Sequence, residues 1–163
     1  MKETRSRLAA PIAALTLLGL VGAFLLPHRF RDLRGMNEAA ATKALQALAK
    51  AEAAYHEAGG TYLGDLAALP GALKGLPADF PSRGQDRGYR FGSVEIDETG
   101  RPLPRGARFA YYAIPEIYHV TGIRTLLVAP EGRVYAKDTG SSLPPSAWPA
   151  SDPTTAGWIL LDR

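Results

Sequence analysis

One string in the chain suggests acid–base chemistry, the run Asp138-Thr139-Gly140-Ser141-Ser142. An aspartate presented on such a turn can exchange a proton when a second aspartate shares that proton, so that one carboxyl acts as acid and the other as base. The chain contains no second Asp-Thr-Gly or Asp-Ser-Gly. A complete carboxyl pair would therefore need two copies of the chain.

The same string is similar to the loop that carries the catalytic aspartate of pepsin-like proteases, and retroviral-type enzymes complete their pair by dimerising. That loop follows an apolar strand end, but here Lys137 precedes it. Prolines fill the region where an apolar, glycine-bearing segment is expected, at Pro144, Pro145 and Pro149. A turn that ends a hairpin is therefore favoured, with Asp138 bonding local backbone. A dimeric aspartic protease acting through Asp138 is kept as a remote alternative.

Histidine and tyrosine offer weaker candidates. The histidines are widely spaced, at His28, His56 and His119, and no pair has the spacing of metal ligands. Tyr118 and His119 lie in a predicted loop, where they could form a contact patch with neighbouring tyrosines, although tyrosines alternating on a half-buried strand are the favoured interpretation. The sequence has no nucleophile elbow and no phosphate-binding glycine loop. We therefore predict no catalytic residue, no metal and no cofactor.

Composition narrows the class of protein. The 163 residues leave room for one domain plus an N-terminal element, and the 21% charged and 46% hydrophobic fractions are ordinary for a folded chain. The net charge of +3 is small and scattered, which argues against nucleic acid as a partner. Because there are no cysteines, disulfides, thiolate metal sites and cysteine nucleophiles are excluded.

The N-terminal part divides into a basic segment, residues 1–7, and an uncharged apolar run, residues 8–26. A helix of these 19 residues matches the bilayer core in length. The run ends in Phe-Leu-Leu-Pro instead of the small residues that a signal peptidase requires. An uncleaved transmembrane helix is therefore favoured over a cleaved signal or a buried soluble helix. Three basic residues precede the run and three follow it, so charge does not decide its direction.

Small residues in this run predict a helix-association site, formed by Gly19, Gly22 and Ala23, because they allow close packing in a bilayer. The residues after the run are predicted to lie at the membrane interface: Pro27, Arg29, Arg31 and Arg34. The lipid bilayer is thus the first expected partner.

A second helical segment covers residues 37–58, which are rich in alanine, leucine, lysine and glutamate. Three- and four-residue steps place one apolar stripe on it, made of Ala41, Ala44, Leu45, Leu48, Ala51 and Tyr55. Gly59-Gly60 is expected to end the helix. Asn37 could cap a separate helix, but one kinked helix over residues 8–58 is preferred.

The C-terminal half changes to the period-two pattern of β-strands. Strands are predicted at residues 89–91 with a possible extension over 94–96, and at 108–114, 124–129, 133–137 and 158–161. The predicted fold class is α+β, in which a long N-terminal helix, combining a membrane anchor with an amphipathic part, packs on a small antiparallel sheet. Residues 27–163 form the predicted domain.

These features together resemble type IV pilins and the pseudopilins of type II secretion. The resemblance rests on the apolar run, the proline, the segment HRFRDLR, the helix NEAAATKALQALAKAEAAYHEAGGTY, the strand GYRF and the final hairpin TGIRTLLVAPEGRVYAKDTG. Pilin precursors carry a glycine, a phenylalanine and a glutamate in their processing region. This chain departs from that pattern, since Arg5, Ser6 and Ala10 lie near the corresponding positions. The resemblance therefore implies a pilin-like fold on an unprocessed anchor.

The predicted function is that of a non-catalytic, membrane-anchored, pilin-like structural or assembly protein. Its expected partners are the bilayer and either itself or other pilin-like subunits. The expected location is the bacterial inner membrane, with an extracytoplasmic domain. The alternative is a membrane-tethered extracytoplasmic binding module of an uncharacterised exported type, which would bind through a sheet face or through the loop 115–122.

Overall fold

The computed structural model describes the side chains of residues 32–69, 73, 76–104, 106–149 and 151–161. The chain divides into two compact units, residues 1–33 and residues 34–163. Helix α1 is assigned to Thr4–Gly59. It ends at the glycine pair, where Gly60 takes a left-handed backbone conformation and donates its N–H to the carbonyl of His56 at 2.7 Å.

One stripe of α1 is buried against the sheet. Ala41, Ala44, Leu45 and Leu48 are at most 1% exposed, and Ala49 is buried beside them. Small residues at this spacing let the helix approach the sheet closely, while each leucine contributes about 1.5–3 kcal/mol through burial. The predicted stripe is thus observed over two helical turns, but Tyr55 at its far end is exposed.

The sheet is a six-stranded antiparallel meander in which every strand pairs with its neighbours in sequence. The strands are β1 (Gln85–Asp86), β2 (Tyr89–Ser93), β3 (Tyr111–Pro115), β4 (Arg124–Val128), β5 (Val134–Asp138) and β6 (Ile159–Leu161). A short helix α2 (Phe80–Arg83) precedes β1, and two 3₁₀ turns lie at Leu66–Ala68 and Pro153–Ala156. Five of the strands overlap the segments that the period-two pattern predicts.

Both faces of the sheet are covered, which explains why the central strands are apolar at consecutive positions. On β4, Leu126 and Val128 belong to the core shared with α1, whereas Leu127 belongs to a second core on the opposite face. That second core contains Trp148 and Trp158 from the proline-rich C-terminal segment. Strand alternation sends successive side chains to opposite faces, so one strand serves both cores.

Glu52 is a buried charged residue that ties α1 to the rest of the domain. Its side chain is 0% exposed and accepts hydrogen bonds from the backbone N–H of Leu63 at 2.8 Å and of Gly64 at 2.9 Å. The hydroxyl of Tyr111 on β3 donates a third, short hydrogen bond. Burial, and then this bond, raise the pKa of Tyr111. The carboxylate therefore fixes the chain that leaves the helix against the sheet.

The prediction of a long apolar N-terminal helix on a small sheet is wrong. The described part of α1 covers residues 32–59, and the sheet it packs on has six strands. The run 8–26 lies outside the residues whose side chains are described, and within the described ranges no helix has the length and apolarity to cross a bilayer. Among the described residues, the stripe of alanines and leucines that packs on the sheet lies within 41–49.

Candidate interaction site

The loop 116–123 joins β3 to β4 and is held in a compact turn by its own residues. The backbone N–H groups of Val120 and Thr121 donate to the carbonyl of Ile117 at 3.0 and 2.9 Å. The Thr121 hydroxyl accepts from the Ile117 N–H at 3.1 Å and donates to the Ile117 carbonyl at 3.2 Å. His119 takes a positive φ of 64°, and its N–H donates to the carbonyl of Gly122 at 2.9 Å. Five hydrogen bonds within residues 117–122 leave this loop little conformational freedom.

The helix holds the same loop from one side. Asn37 donates from its side-chain amide to the Thr121 carbonyl at 2.9 Å, and Arg34 donates to the His119 carbonyl at 3.2 Å. A short ion pair joins Glu38 to Arg124, the first residue of β4. Asn37 lies inside α1 and binds this loop, so it does not cap a separate helix. Three polar residues within five positions of α1 thus hold the loop and the start of β4.

A tyrosine supports the base of the loop. Tyr89 is fully buried, and its hydroxyl donates to the Arg124 carbonyl at 3.1 Å. Burial raises the pKa of Tyr89 well above its usual range, with Glu38 adding to the effect and Arg124 opposing it. A Cβ at Gly122 would overlap the Tyr89 phenol. Only glycine therefore lets the loop return to β4 over this ring.

Tyr118 and Asp138, which the sequence analysis named as separate candidates, are hydrogen-bonded to each other on the other side of the loop. The Tyr118 hydroxyl donates to Oδ1 of Asp138 at 2.8 Å, and the Gly140 N–H donates to the same oxygen at 2.9 Å. The ring of His119 lies edge-on to the Tyr118 ring, with centroids 4.2 Å apart. Asp138 ends β5, where the sequence favours a hairpin-ending turn over a protease loop.

Hydrogen bonding sets the protonation of this pair. The Gly140 N–H, and then the Tyr118 hydroxyl, lower the pKa of Asp138. The hydrogen bond to Asp138 raises the pKa of Tyr118. Within the described part of the chain, the bonded partners of Asp138 are Tyr118 and Gly140, and neither is a carboxyl. This arrangement keeps Asp138 charged, whereas an aspartate pair sharing a proton keeps one carboxyl neutral.

Apolar side chains stand out on the same loop. Ile117 is 57% exposed and Val120 is 49% exposed. We call Ile117, Tyr118, His119, Val120 and Asp138 the loop patch. It combines two branched apolar groups, two aromatic rings and one carboxylate on a surface that backbone contacts already order.

The remaining predicted residues lie elsewhere. His56 stacks on Tyr62 at a centroid distance of 4.2 Å. The described residues contain no cluster of histidine and acidic groups able to hold a metal. The helix-association residues, His28 and most of the membrane-interface set lie outside the residues whose side chains are described: Gly19, Gly22, Ala23, Pro27, Arg29 and Arg31.

Sequence reasoning missed the partners of the loop patch. It named Tyr118 and His119 as one candidate and Asp138 as another, but their contact joins positions 20 residues apart. The pair between Glu38 and Arg124 spans 86 residues. Gly122, which follows Tyr-His-Val-Thr, is the local signal in the sequence that the loop turns tightly back into β4.

Part of the chain matches a known protein family. Residues 103–151 match a family described as a protein of unknown function (DUF2950). This segment contains β3, β4 and β5, the loop between β3 and β4, and Asp138. No curated protein and no solved structure matches the chain.

Proposed function

We propose that this chain is a non-catalytic interaction module that binds a protein partner through the loop patch. One observation carries the proposal: Ile117 and Val120 are held at 57% and 49% exposure on a loop fixed by α1, β4 and β5. Loops on rigid scaffolds often carry recognition, and neighbouring exposed apolar side chains on such a loop can form part of a contact surface.

Preorganisation is what makes the loop patch effective. Binding normally costs about 0.5–1.5 kcal/mol for each flexible side chain that becomes ordered. Here the backbone of Ile117 is already fixed by Thr121, and the Tyr118 side chain is fixed by Asp138. For the loop backbone and the Tyr118 side chain, folding has therefore already met the cost of ordering.

The family match supports a module built around this loop. The matched residues 103–151 include every residue of the loop patch together with the strands that flank it. Helix α1 lies outside the match, although it supplies Arg34 and Asn37 to the loop. The binding-module alternative from the sequence is thus favoured over the assembly role.

The pilin-like assembly role and the membrane tether stay predictions. Both depend on the run 8–26, which lies outside the residues whose side chains are described. Helix association through Gly19, Gly22 and Ala23 belongs to the same prediction. Likewise, the inner-membrane location with an extracytoplasmic domain stays a prediction, because the contacts of the loop patch do not test it.

Site-specific photo-cross-linking in cells tests the proposal. A benzophenone amino acid replaces Ile117 in one variant and Ile159, which is 60% exposed on the edge strand β6, in a matched control. We expect one discrete protein adduct from position 117 and none from position 159. Adducts of equal yield at both positions, or none at position 117, would contradict the assignment.

A further inference from the structure

We infer that the loop patch binds an arginine side chain of its protein partner, held between the Asp138 carboxylate and the Tyr118 phenol. This inference rests on the proposed function and specifies its ligand. The chemical class is a guanidinium group flanked by apolar residues.

The first support is the geometry of the acceptors. Oδ1 of Asp138 already accepts hydrogen bonds from Tyr118 and Gly140. The second carboxylate oxygen, Oδ2, accepts none from the residues that the structure describes. The Tyr118 oxygen donates its proton to Asp138, so its lone pairs remain available as acceptors. Because the Tyr118 oxygen lies 2.8 Å from Oδ1 of Asp138, the phenol oxygen and the carboxylate are neighbouring acceptors. Such a pair suits a guanidinium, which presents several N–H groups in one plane.

The second support is charge. Asp138 is exposed, and its hydrogen bonds keep it ionised by lowering its pKa. Glu116, at the start of the loop, is also exposed. On the helix side, Arg34 donates to the His119 carbonyl and Arg124 pairs with Glu38. His119 makes the smallest of the contributions that lower the pKa of Asp138, so an incoming cation meets an ionised carboxylate beside this histidine.

The third support is the aromatic and apolar surroundings. The rings of Tyr118 and His119, which lie edge-on to each other, offer apolar surface against which the methylene part of such an arginine can pack. Ile117 and Val120 can contact the residues that flank such an arginine. Lysine fits less well, because its compact ammonium lacks the planar fork that engages two acceptors at once.

Peptide titration tests the ligand class directly. The full-length chain, with its backbone amides observed by NMR, is titrated with acetyl-Leu-Arg-Leu-amide and with the same peptide carrying citrulline, a neutral match for arginine. We expect the arginine peptide to shift the amide signals of Tyr118 and Gly140 and to bind about tenfold more tightly than the citrulline peptide. In Asp138→Asn the two affinities should become equal.

Tyr118→Phe is a second variant that keeps the ring and removes one acceptor, so its preference for arginine should fall about threefold. Equal binding of both peptides to the unmodified chain, or shifts confined to residues outside the loop patch, would overturn the inference. A cross-link at position 117 that persists in Asp138→Asn would also overturn it while leaving the interaction module in place. Absence of any cross-link, with arginine-selective peptide binding retained, would instead count against the proposed function.

Discussion

Replacing Glu52 by glutamine should destabilise the domain by about 3 kcal/mol. The carboxylate accepts from Leu63, Gly64 and Tyr111 in a fully buried position. Glutamine keeps one oxygen, which can still serve Gly64 and Tyr111, but its amide nitrogen would face the Leu63 N–H. Losing one hydrogen bond to a charged group costs about 1.5–3 kcal/mol, and leaving a donor unmatched costs about 1–3 kcal/mol. Part of that second cost is relieved because Leu63 is only half-buried.

Urea denaturation of the full-length chain, followed by circular dichroism, measures this loss. A change of about 3 kcal/mol corresponds to a fall in melting temperature of roughly 6–12 °C for a chain of this size. The control is Glu57→Gln, an exposed glutamate on the same helix, which should change stability by less than about 0.5 kcal/mol. If Glu52→Gln is as stable as the control, the carboxylate does not hold the helix as its contacts indicate.

Three further outcomes are expected. Gly122→Ala should cost about 1–3 kcal/mol in denaturation because its methyl group overlaps the buried Tyr89 ring, whereas Gly35→Ala, where nothing lies within 4 Å, should be neutral or stabilising. In Asp138→Asn, NMR titration should show the pKa of Tyr118 falling towards its usual value, since the Asp138 bond is what raises it. A raised pKa stabilises the fold while the phenol is protonated, so this contribution should fade as pH rises through the folded-state pKa, and an unchanged titration would contradict the assigned bond. The intact mass of the chain from native membranes should match the full sequence or lack Met1, and loss of about five to seven residues would indicate pilin-type processing instead.

Much of the sheet could be predicted because its signals are local. The segments 124–129 and 133–137, joined by Pro-Glu-Gly, form the hairpin that their alternation indicates. The structure of the segment 94–96 was harder to predict, because it lies beyond the end of β2. Ile96 there forms an isolated bridge to Pro102, across a turn closed by Asp97. The apolar stripe of α1 was readable from its three- and four-residue steps.

The tertiary polar contacts could not be predicted in the same way. Glu52 lies among alanines on a helix and has the local pattern of a solvated glutamate, yet its three donors come from 11 to 59 residues away. The loop patch likewise depends on a helix more than 80 residues earlier in the chain. No periodicity encodes such pairings, since they arise when separately formed elements are brought together.

The meander has a consequence for the order of folding. Each strand finds its partner in the adjacent segment, so the sheet can grow by short loop closures. The contacts of Arg34, Asn37 and Glu38 with the far loop instead close separations of 84 to 86 residues. Such distant contacts form late when local ones can form first. Asn37→Ala should then accelerate unfolding and leave the folding rate almost unchanged. During synthesis, the polar contacts at this end of the helix can form only after β4 has been made.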